Sequence, residues 1–437
     1  MSFLSADRDL TKKSYYAATV PRTQTFAMLE SSTSCDVAVV GGGLAGLSAA
    51  IELADRGFSV VLLEARQVGW GASGRNGGQA LAGLACDQST IEAQLGLDEA
   101  RRVWAMTLEA LALIQQRRER FGIDCDWQAG YLSLAVNARK STALQAWRAH
   151  MQTHYGFETT WIAPRDMPQW IASERFHSGV HDALSGHLNP LKYSLGLARA
   201  AAGLGVRIFE HSAVTELVQG RSARLRTAHG EVQASHVLLA GNVYLQDVVP
   251  MLEPRIMPVG TYIVTSEALD PLLSRGLIPS MSAVCDTNFV LDYFRPTPDH
   301  RMLYGGRVSY STATPRNLEA SLHKRMAETF PQLKDTRVEF SWGGFVDISM
   351  NRAPDFGRLP QAASASHANV YYLQGFSGHG LALTGLAGKL VAEAIDGDAG
   401  RFDIFSRLKH RSFPGGRWLR TPALVAGMAY YRLKDML

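Results

Sequence analysis

The pattern of apolar and polar residues changes its period twice between residues 36 and 64. An apolar run at residues 37–40 predicts a buried strand. Apolar residues then recur at helical spacing and predict a helix that ends before Gly57; they are Leu44, Leu47, Ile51 and Ala54. A second apolar run, Val60–Leu63, predicts another strand that ends on Glu64. The segment therefore predicts a βαβ unit.

The turn between the first strand and the helix carries glycines in G-x-G-x-x-G spacing, at Gly41, Gly43 and Gly46. The first glycine allows a tight turn, the second lets a pyrophosphate approach the main chain, and the third lets helix and strand pack closely. The helix N-terminus would face the phosphates, and Glu64 can accept hydrogen bonds from both ribose hydroxyls. The spacing and its βαβ context predict a dinucleotide site that favours an unphosphorylated adenosine ribose.

A second glycine-rich loop, residues 69–79, indicates whether the bound dinucleotide is NAD or FAD. A nicotinamide-binding domain has no need of such backbone freedom here, whereas a chain that lies against a flat flavin ring does. The loop also offers hydrogen-bond donors from Ser73, Arg75 and Asn76 to a phosphate or a flavin. The alternative interpretation is a flexible surface loop.

Two later segments, residues 236–242 and 369–380, are predicted to be buried strands that close on glycine turns. The second turn precedes a predicted helix at residues 381–395. The N-terminus of that helix would point at the N1–C2=O edge of a flavin, where negative charge collects on reduction. Glycine turns at both ends of the chain indicate a long ligand between them, and FAD is such a ligand.

The chain resembles the D-amino-acid-oxidase, glycine-oxidase and sarcosine-oxidase superfamily of FAD-dependent amine oxidoreductases over nearly its whole length. The segments that carry the resemblance are residues 14–18, 71–79, 186–190, 291–295, 375–380 and 413–420. Within the superfamily, the chain is most similar to enzymes of polyamine catabolism that oxidise γ-glutamylated putrescine.

The resemblance implies an α/β fold, α+β overall, in which a Rossmann-type FAD-binding domain is interleaved with an antiparallel-sheet substrate domain (the glutathione-reductase-2-like fold). Both domains are expected to be discontinuous. The FAD-binding domain would comprise residues 34–90, 186–250 and 343–400, and the substrate domain residues 91–185 and 251–342. We expect residues 1–33 to be a polar leader that wraps the surface and residues 401–437 to be a C-terminal helical tail.

Apolar periodicity predicts further elements outside the βαβ unit. Helices are expected at residues 92–121, 138–155, 193–202 and 318–330. Strands are expected at residues 130–135, 257–265, 289–295 and 302–306, and two more within residues 206–218.

The motifs and the resemblance together give the residues expected to contact FAD. They are Gly41, Gly43, Leu44, Ala45, Gly46, Glu64, Ala65, Gly71, Ala72, Ser73, Arg75, Asn76, Gly77, Gly78, Gln79, Val214, Ala240, Gly241, Asn242, Gly344, Gly375, Ser377, Gly378, His379, Gly380 and Leu381. The resemblance implies that Val214 contacts adenine through its main chain. Some relatives tether their flavin through a cysteine, but residues 351–359 and 375–380 contain none, so we expect non-covalent FAD.

Oxidation of an amine by a flavin needs little acid–base catalysis, because the cofactor accepts the hydride. His379 would polarise the flavin or influence its reaction with oxygen; the alternative is a capping or packing role. Tyr293 and Arg295 lie two apart on a predicted strand and so face one side, where they would suit an elongated substrate with a carboxylate, unless they form a surface pair. Arg352 would hold a carboxylate or brace its loop. Trp342 would contact the flavin or the substrate, or pack in the core.

Composition narrows the function further. A chain of 437 residues, 46% hydrophobic and 19% charged, fits two closely packed globular domains. A net charge of +4, without a cluster of basic and aromatic residues, argues against a nucleic-acid partner. Four scattered cysteines without metal-ligand spacing indicate reduced thiols and no metal site.

Targeting signals are weak along the chain. Residues 1–21 lack the apolar core of a signal peptide, so we expect a cytoplasmic protein. The apolar residues 422–431 are too few to span a bilayer. They could form a basic amphipathic helix at a membrane surface, or a terminal helix that docks on the protein body. No stable membrane insertion is expected.

The sequence and its resemblance therefore predict an FAD-dependent amine oxidase. It would convert the terminal primary amine of γ-glutamylputrescine, or of a similar glutamylated polyamine, through an imine to the aldehyde and ammonia, with O2 as electron acceptor and H2O2 as product. One alternative is a secondary-amine or amino-acid oxidase of the sarcosine, glycine or pipecolate type. Others are an amine dehydrogenase that uses an electron carrier and a non-catalytic FAD-binding protein. The oligomeric state is left open.

Overall fold

The computed structural model describes residues 14–245, 247–309, 317–361 and 368–414. Over these residues the chain forms ten α-helices and seventeen β-strands. The helices are α1 (Tyr15–Thr19), α2 (Leu44–Asp55), α3 (Gln88–Leu95), α4 (Leu97–Arg120), α5 (Ala138–Tyr155), α6 (Pro190–Gly203), α7 (Pro271–Leu277), α8 (Leu318–Thr329), α9 (Gly380–Ile395) and α10 (Gly400–Ser406). The strands are β1 (Thr33–Val40), β2 (Val60–Leu63), β3 (Gln79–Ala80), β4 (Gln128–Ala135), β5 (Thr160–Ile162), β6 (Ser178–His187), β7 (Arg207–Phe209), β8 (Glu216–Val218), β9 (Ala223–Arg226), β10 (Glu231–Leu239), β11 (Ile256–Ser266), β12 (Ala283–Asp286), β13 (Tyr293–Pro296), β14 (Met302–Ser309), β15 (Val338–Ser349), β16 (Asp355–Arg358) and β17 (Val370–Gln374).

The first sheet has eight strands in the order β16–β17–β10–β1–β2–β7, with β9 beside β10 and β8 beside β9. Strands β17, β10, β1, β2 and β7 run parallel. Helix α2 connects β1 to β2, as the βαβ pattern predicts. It also meets α9 closely, since a Cβ at Gly388 would stand 2.5 Å from the amide nitrogen of Ala49. These contacts confirm a Rossmann-type arrangement with helices packed on a parallel sheet.

The second sheet has nine strands in the order β15–β11–β14–β13–β12–β4–β6–β3, with β5 beside β6. Its strand pairs are antiparallel except for β12 and β4. The register places one row of residues across five neighbouring strands, and residues directly opposite each other share a face of the sheet. The row consists of Trp342, Ile263, Gly305, Tyr293 and Cys285. The two sheets confirm the predicted fold class.

Several predicted element boundaries differ from the structure. The helix expected at residues 92–121 is two helices, α3 and α4, because Gly96 adopts φ +81° between them. The strand expected at residues 289–295 begins only at Tyr293. Before it, the chain loops back, since the amide of Asp286 donates to the carbonyl of Asp292 at 2.9 Å. The loop is fixed because the buried Asp292 carboxylate pairs with Arg175 and Arg325, each at 2.8 Å.

The expectation of a surface leader at residues 1–33 is wrong for its described part near Tyr15 and Tyr16. Helix α1 carries both tyrosines into the protein, and Tyr16 is fully buried. The Tyr16 ring lies edge-on to Trp342, with 5.4 Å between ring centroids. Its hydroxyl accepts from Arg295 at 3.0 Å and donates to the carbonyl of Asn76 at 3.0 Å. Buried aromatic groups with satisfied hydroxyls thus anchor this segment.

The division into domains remains a prediction, and one predicted boundary does not coincide with the end of a strand. The boundary between residues 342 and 343 falls inside β15, all of which belongs to the second sheet. Of the predicted C-terminal tail, the structure describes α10 and the residues up to 414; residues 415–437, with the apolar stretch 422–431, lie outside the described part. None of the described helices has the length and apolarity that crossing a membrane requires.

Candidate active site

A cavity opens at the carboxyl ends of β1, β2 and β10, where ligands bind in open parallel sheets. Twelve of the residues expected to contact FAD line it: Gly41, Gly43, Ala45, Glu64, Ala65, Gly71, Ala72, Ser73, Val214, Ala240, Gly241 and Asn242. These residues come from five separate segments of the chain. The structure therefore brings the dispersed predictions together, and their contact with FAD remains a prediction.

The glycine turn shows why the motif needs glycines. Gly41 has φ +113°, and a Cβ there would stand 2.6 Å from the carbonyl oxygen of Ala240. A Cβ at Gly46 would stand 2.0 Å from the carbonyl oxygen of Gly41. A Cβ at Gly43 would stand 2.7 Å from Oγ of Ser73, which accepts from the amide of Leu44 at 2.9 Å. Because side chains are excluded here, main chain and the α2 N-terminus border the cavity, and this fits a pyrophosphate.

Glu64 lies at the end of β2 and lines the same cavity. Its Oε2 accepts from the amide of Gly42 at 2.7 Å, and its Oε1 accepts from the amide of Arg66 at 2.8 Å. Burial raises the pKa of this carboxyl, although the two amide bonds oppose the shift. Since each carboxylate oxygen can accept more than one hydrogen bond, Glu64 can hold the turn and still accept from a ribose.

Aromatic residues that the sequence analysis missed also line the cavity. Trp70 and Tyr244 lie with ring centroids 5.7 Å apart. The guanidinium carbon of Arg75 lies 4.8 Å from the Trp70 ring centroid. Arg75 donates to the Tyr244 hydroxyl at 3.0 Å and to the carbonyl of Gly343 at 3.2 Å. Arg75, predicted to donate to phosphate or flavin, thus ties the loop to β15. A tryptophan between Gly69 and Gly71 was the available signal for the aromatic lining.

The part of the loop that follows the cavity residues is held through its main-chain carbonyl groups. We name the carbonyl oxygens of residues 75–78, together with the four groups that donate to them, the carbonyl clamp. Every donor comes from outside the loop. The four hydrogen bonds are Trp342 Nε1 to Arg75 O (2.8 Å), Tyr16 hydroxyl to Asn76 O (3.0 Å), Arg295 Nε to Gly77 O (2.7 Å) and Leu188 N to Gly78 O (2.8 Å). The Asn76 side chain closes the loop on itself, accepting from Gly78 at 2.8 Å and donating to Ala72 at 2.9 Å. This loop is ordered by contacts, which argues against a flexible surface loop.

Arg295 is buried and uses all five of its N–H groups inside the protein. Besides Gly77 and Tyr16, it donates to Leu188 O (3.2 Å), Pro296 O (3.3 Å) and His187 Nδ1 (3.3 Å). This geometry argues against the predicted contact between Arg295 and a substrate carboxylate. His187 in turn donates from Nε2 to Met281 O at 2.8 Å. Burial and the neighbouring guanidinium lower the His187 pKa to about 3, so the ring is neutral.

Tyr293 and Arg295 do face the same side of β13, as predicted. A Cβ at Gly77 would stand 2.6 Å from the Tyr293 ring, and one at Gly305 would stand 2.2 Å from it. The ring therefore fills the space between the loop and β14. Beside it, Gln79 accepts from the Cys285 thiol at 3.0 Å and donates to the carbonyl of Val284 at 3.1 Å. Burial raises the pKa of Tyr293, so its hydroxyl stays protonated.

The turn between β17 and α9 brings the C-terminal glycines to the site. Gly375, Ser377 and Gly378 have φ between +54° and +83°. His379 lies before α9, with Nε2 at 3.2 Å from Ala82 O, and burial lowers its pKa. Asp347, which the sequence analysis missed, accepts from the Gly375 amide, and burial raises its pKa to about 7.

The remaining predicted residues occupy supporting positions. A Cβ at Gly344 would stand 2.9 Å from Nε of Arg75, which places this glycine against the loop. Leu44 begins α2 and Gly380 and Leu381 begin α9. Trp342 is buried between Tyr16 and the carbonyl clamp, which favours the packing interpretation.

Arg352, which is not among the residues that line the cavity, adopts a left-handed conformation with φ +60°. Its guanidinium carbon lies 5.2 Å from the Phe289 ring centroid. Its charge contributes to lowering the pKa of His379 and opposes the increase in the Cys86 pKa. Arg352 is half-buried and its charge acts on His379, and its contact with a substrate carboxylate remains a prediction.

Metal and disulfide chemistry find no support in the described part of the chain. No group of three or more His, Cys, Asp or Glu side chains there could hold a metal ion. All four cysteines are described, and each is a free thiol.

Fold and cavity together define a class of protein: an oxidoreductase with a Rossmann-type FAD-binding domain and a second, mostly antiparallel sheet. The chain belongs to the DAO family of FAD dependent oxidoreductases, whose model matches residues 36–394. It is 42% identical to gamma-glutamylputrescine oxidoreductase of Escherichia coli, over 97% of this chain and 98% of that one. It is 37% identical to a probable oxidoreductase of Haemophilus influenzae, over 97% of each chain.

Solved structures show the same fold. Glycine oxidase from Geobacillus kaustophilus superposes with a TM-score of 0.69 at 23% identity, over 83% of this chain and 95% of that one. L-Proline dehydrogenase from P. horikoshii superposes with a TM-score of 0.68 at 21% identity, over 84% and 94% of the two chains. The protein is an FAD-dependent enzyme of this family.

Proposed function

We propose that the protein oxidises the terminal primary amine of a γ-glutamylated diamine, with γ-glutamylputrescine as the first candidate. The observation that carries the proposal is the 42% identity to the E. coli enzyme over nearly both whole chains. FAD, when bound, accepts a hydride from the carbon that bears the amine. The resulting imine hydrolyses in water to the aldehyde and ammonia, and O2 is the proposed electron acceptor, with H2O2 as product.

Three residues proposed to lie near the reacting end suit this chemistry because their side chains are uncharged. Burial keeps the Tyr293 hydroxyl protonated by raising its pKa, and Gln79 carries a neutral amide that is held by Cys285 and Val284. His379 is kept neutral by burial. Neutral groups support an uncharged amine, and hydride transfer requires the amine nitrogen to have lost its proton. No nucleophile or paired carboxylate is needed.

We assign the carboxylate end of the substrate to Arg352. Putrescine carries two ammonium groups, whereas glutamylation replaces one of them by an amide and adds an α-carboxylate. Arg352 lies over the Phe289 ring, and its charge acts on His379. A charge-assisted hydrogen bond from arginine to carboxylate is the strong, directional kind. The proposed pocket thus recognises the end of the substrate that free putrescine lacks.

A substrate panel tests the proposal. Flavin reduction is followed anaerobically with γ-glutamylputrescine, putrescine, sarcosine, glycine and pipecolate, and peroxide is measured in air. We expect the fastest reduction with γ-glutamylputrescine and one H2O2 per amine oxidised. Faster reduction by sarcosine, glycine or pipecolate would assign the protein to secondary-amine or amino-acid oxidation. Reduction without peroxide would indicate an electron carrier, and no reduction by any amine would leave a non-catalytic FAD-binding protein.

We further propose that FAD is bound non-covalently in a cytoplasmic protein. The absence of cysteine from residues 351–359 and 375–380 supports the first part, and four free thiols support the second. Acid precipitation should release FAD into the supernatant, and flavin retained in the pellet would contradict the non-covalent assignment.

A further inference from the structure

Arg295 is a buried cation whose contacts are all neutral. Its five acceptors are three carbonyls, the Tyr16 hydroxyl and an imidazole. His187 adds no charge, because its pKa lies near 3. Within the described residues, no carboxylate contacts this guanidinium. Burying an ion without a counter-ion is costly, so buried arginines are usually paired.

Another buried arginine of the same chain shows the usual solution. Arg117, with 4% of its side chain exposed, lies 3.1 Å from the Glu52 carboxylate. Arg175, near the second sheet, lies 2.8 Å from both Asp286 and Asp292. Arg117 and Arg175 therefore have carboxylate counter-ions within contact distance, whereas no carboxylate of the described residues contacts Arg295.

The position of Arg295 indicates what this charge can act on. Its Nε donates to the carbonyl of Gly77, and a Cβ at Gly78 would stand 2.8 Å from its Nη2. Gly77 and Gly78 continue the loop whose first residues, Gly71–Ser73 in the chain, line the dinucleotide cavity. The guanidinium therefore contacts the main chain of the loop that is proposed to meet the flavin.

We infer that Arg295 is a positioning residue that fixes Gly77 and Gly78 and holds an uncompensated positive charge behind them, so that bound FAD is easier to reduce. The inference rests on the proposed placement of the flavin against this loop. A flavin gains negative charge on two-electron reduction, and a nearby fixed cation stabilises the charged form. Carbonyl acceptors orient the guanidinium without neutralising it.

The test measures the two-electron reduction potential of FAD in the purified holoenzyme, with a chemical reductant and a reference dye. Arg295→Gln should shift the equilibrium at least tenfold towards oxidised FAD, which is about 30 mV in potential. Arg295→Lys keeps the charge and should remain within about threefold of the wild type, by the same conversion. Tyr16→Phe removes one hydrogen bond of the carbonyl clamp without a change in charge and should also leave the potential near that of the wild type.

Two further variants control for charge and for folding. Arg337→Gln removes a positive charge from the surface, where 84% of the side chain is exposed, and should not alter the potential. His187→Asp places a carboxylate beside Arg295 and should lower the potential as Arg295→Gln does. This second variant decides the matter if Arg295→Gln does not retain FAD.

An unchanged potential in Arg295→Gln would overturn the inference, as would an equal decrease in Arg295→Lys, which would mean that shape matters and charge does not. Because no amine is used, this outcome is independent of the substrate panel. The substrate assignment can fail while the role of Arg295 stands, and the reverse also holds.

Discussion

The two halves of the active site are built by different means. The dinucleotide cavity is made by main chain, because side chains are excluded at Gly41, Gly43 and Gly46. The loop beside it is held by side chains, since three donors of the carbonyl clamp are Trp342, Tyr16 and Arg295. Main-chain sites leave a local signature in sequence, whereas side-chain networks join residues that lie far apart along the chain.

The largest effect is expected in the dinucleotide cavity, where the main chain forms the site. Gly43→Val should reduce FAD affinity at least a hundredfold, because even its Cβ would stand 2.7 Å from Ser73 Oγ and the branched side chain would extend towards the pyrophosphate. Equilibrium dialysis of the apoprotein measures this. Gly203→Val, at the end of α6 where a Cβ meets nothing within 4 Å, is the control for adding a branched side chain at a glycine. Full FAD occupancy in Gly43→Val would place the phosphate site elsewhere.

Replacement of Arg352 tests whether a side chain near His379 sets the preference among amine substrates. Arg352→Met should reduce the kcat/KM preference for γ-glutamylputrescine over putrescine by about ten- to a hundredfold, because a charge-assisted contact contributes about 1.5–3 kcal/mol. FAD binding and slow turnover of simple amines should persist. Arg295→Met is the matched comparison and should not selectively erase the preference, since its donors are already occupied. A wild-type ratio in Arg352→Met would move carboxylate recognition to another residue.

At Glu64 a side chain helps to build the main-chain site, because its carboxylate accepts from the amides of Gly42 and Arg66. Glu64→Arg should weaken FAD binding about tenfold, because a cation without acceptors replaces a carboxylate that meets the Gly42 and Arg66 amides. Glu64→Gln keeps one acceptor oxygen and should lose less. The measurement is the Kd of FAD by flavin fluorescence. Equal affinity in all three proteins would mean that Glu64 does not contact the ribose.

The same contrast explains what could be predicted from sequence. The βαβ unit lies where the apolar periods predict it, because periodicity and glycine spacing are local properties. Trp70 and Tyr244 were missed because aromatic residues give no comparable spacing signal. The burial of Tyr16 could not be foreseen from a polar leader, since its partners Asn76 and Arg295 come from distant segments.

The contacts of Arg295 also predict an effect of pH on stability, through its partner His187. Arg295 looked available on the predicted strand, and only the three-dimensional contacts show that its donors are used. One of these contacts is to His187, whose pKa is lowered by burial and by the neighbouring Arg295 guanidinium. In the folded protein the His187 pKa is about 3, whereas an unperturbed histidine titrates near 6.5. The unfolded chain therefore binds more protons than the folded one between these values, and stability falls as the pH decreases below 6.5.

His187→Gln should remove this pH dependence. Glutamine can accept from Arg295 and donate to Met281 O as the neutral imidazole does, but it does not titrate. Between pH 7.5 and pH 5 the wild type should lose about 1–2 kcal/mol more stability than the variant, as linkage predicts for a proton taken up only on unfolding. Denaturant unfolding at both pH values measures the difference, with His229→Gln, an exposed histidine, as the control. Parallel losses in wild type and His187→Gln would show that His187 is protonated in the folded protein, and the Arg295 site would then carry two positive charges.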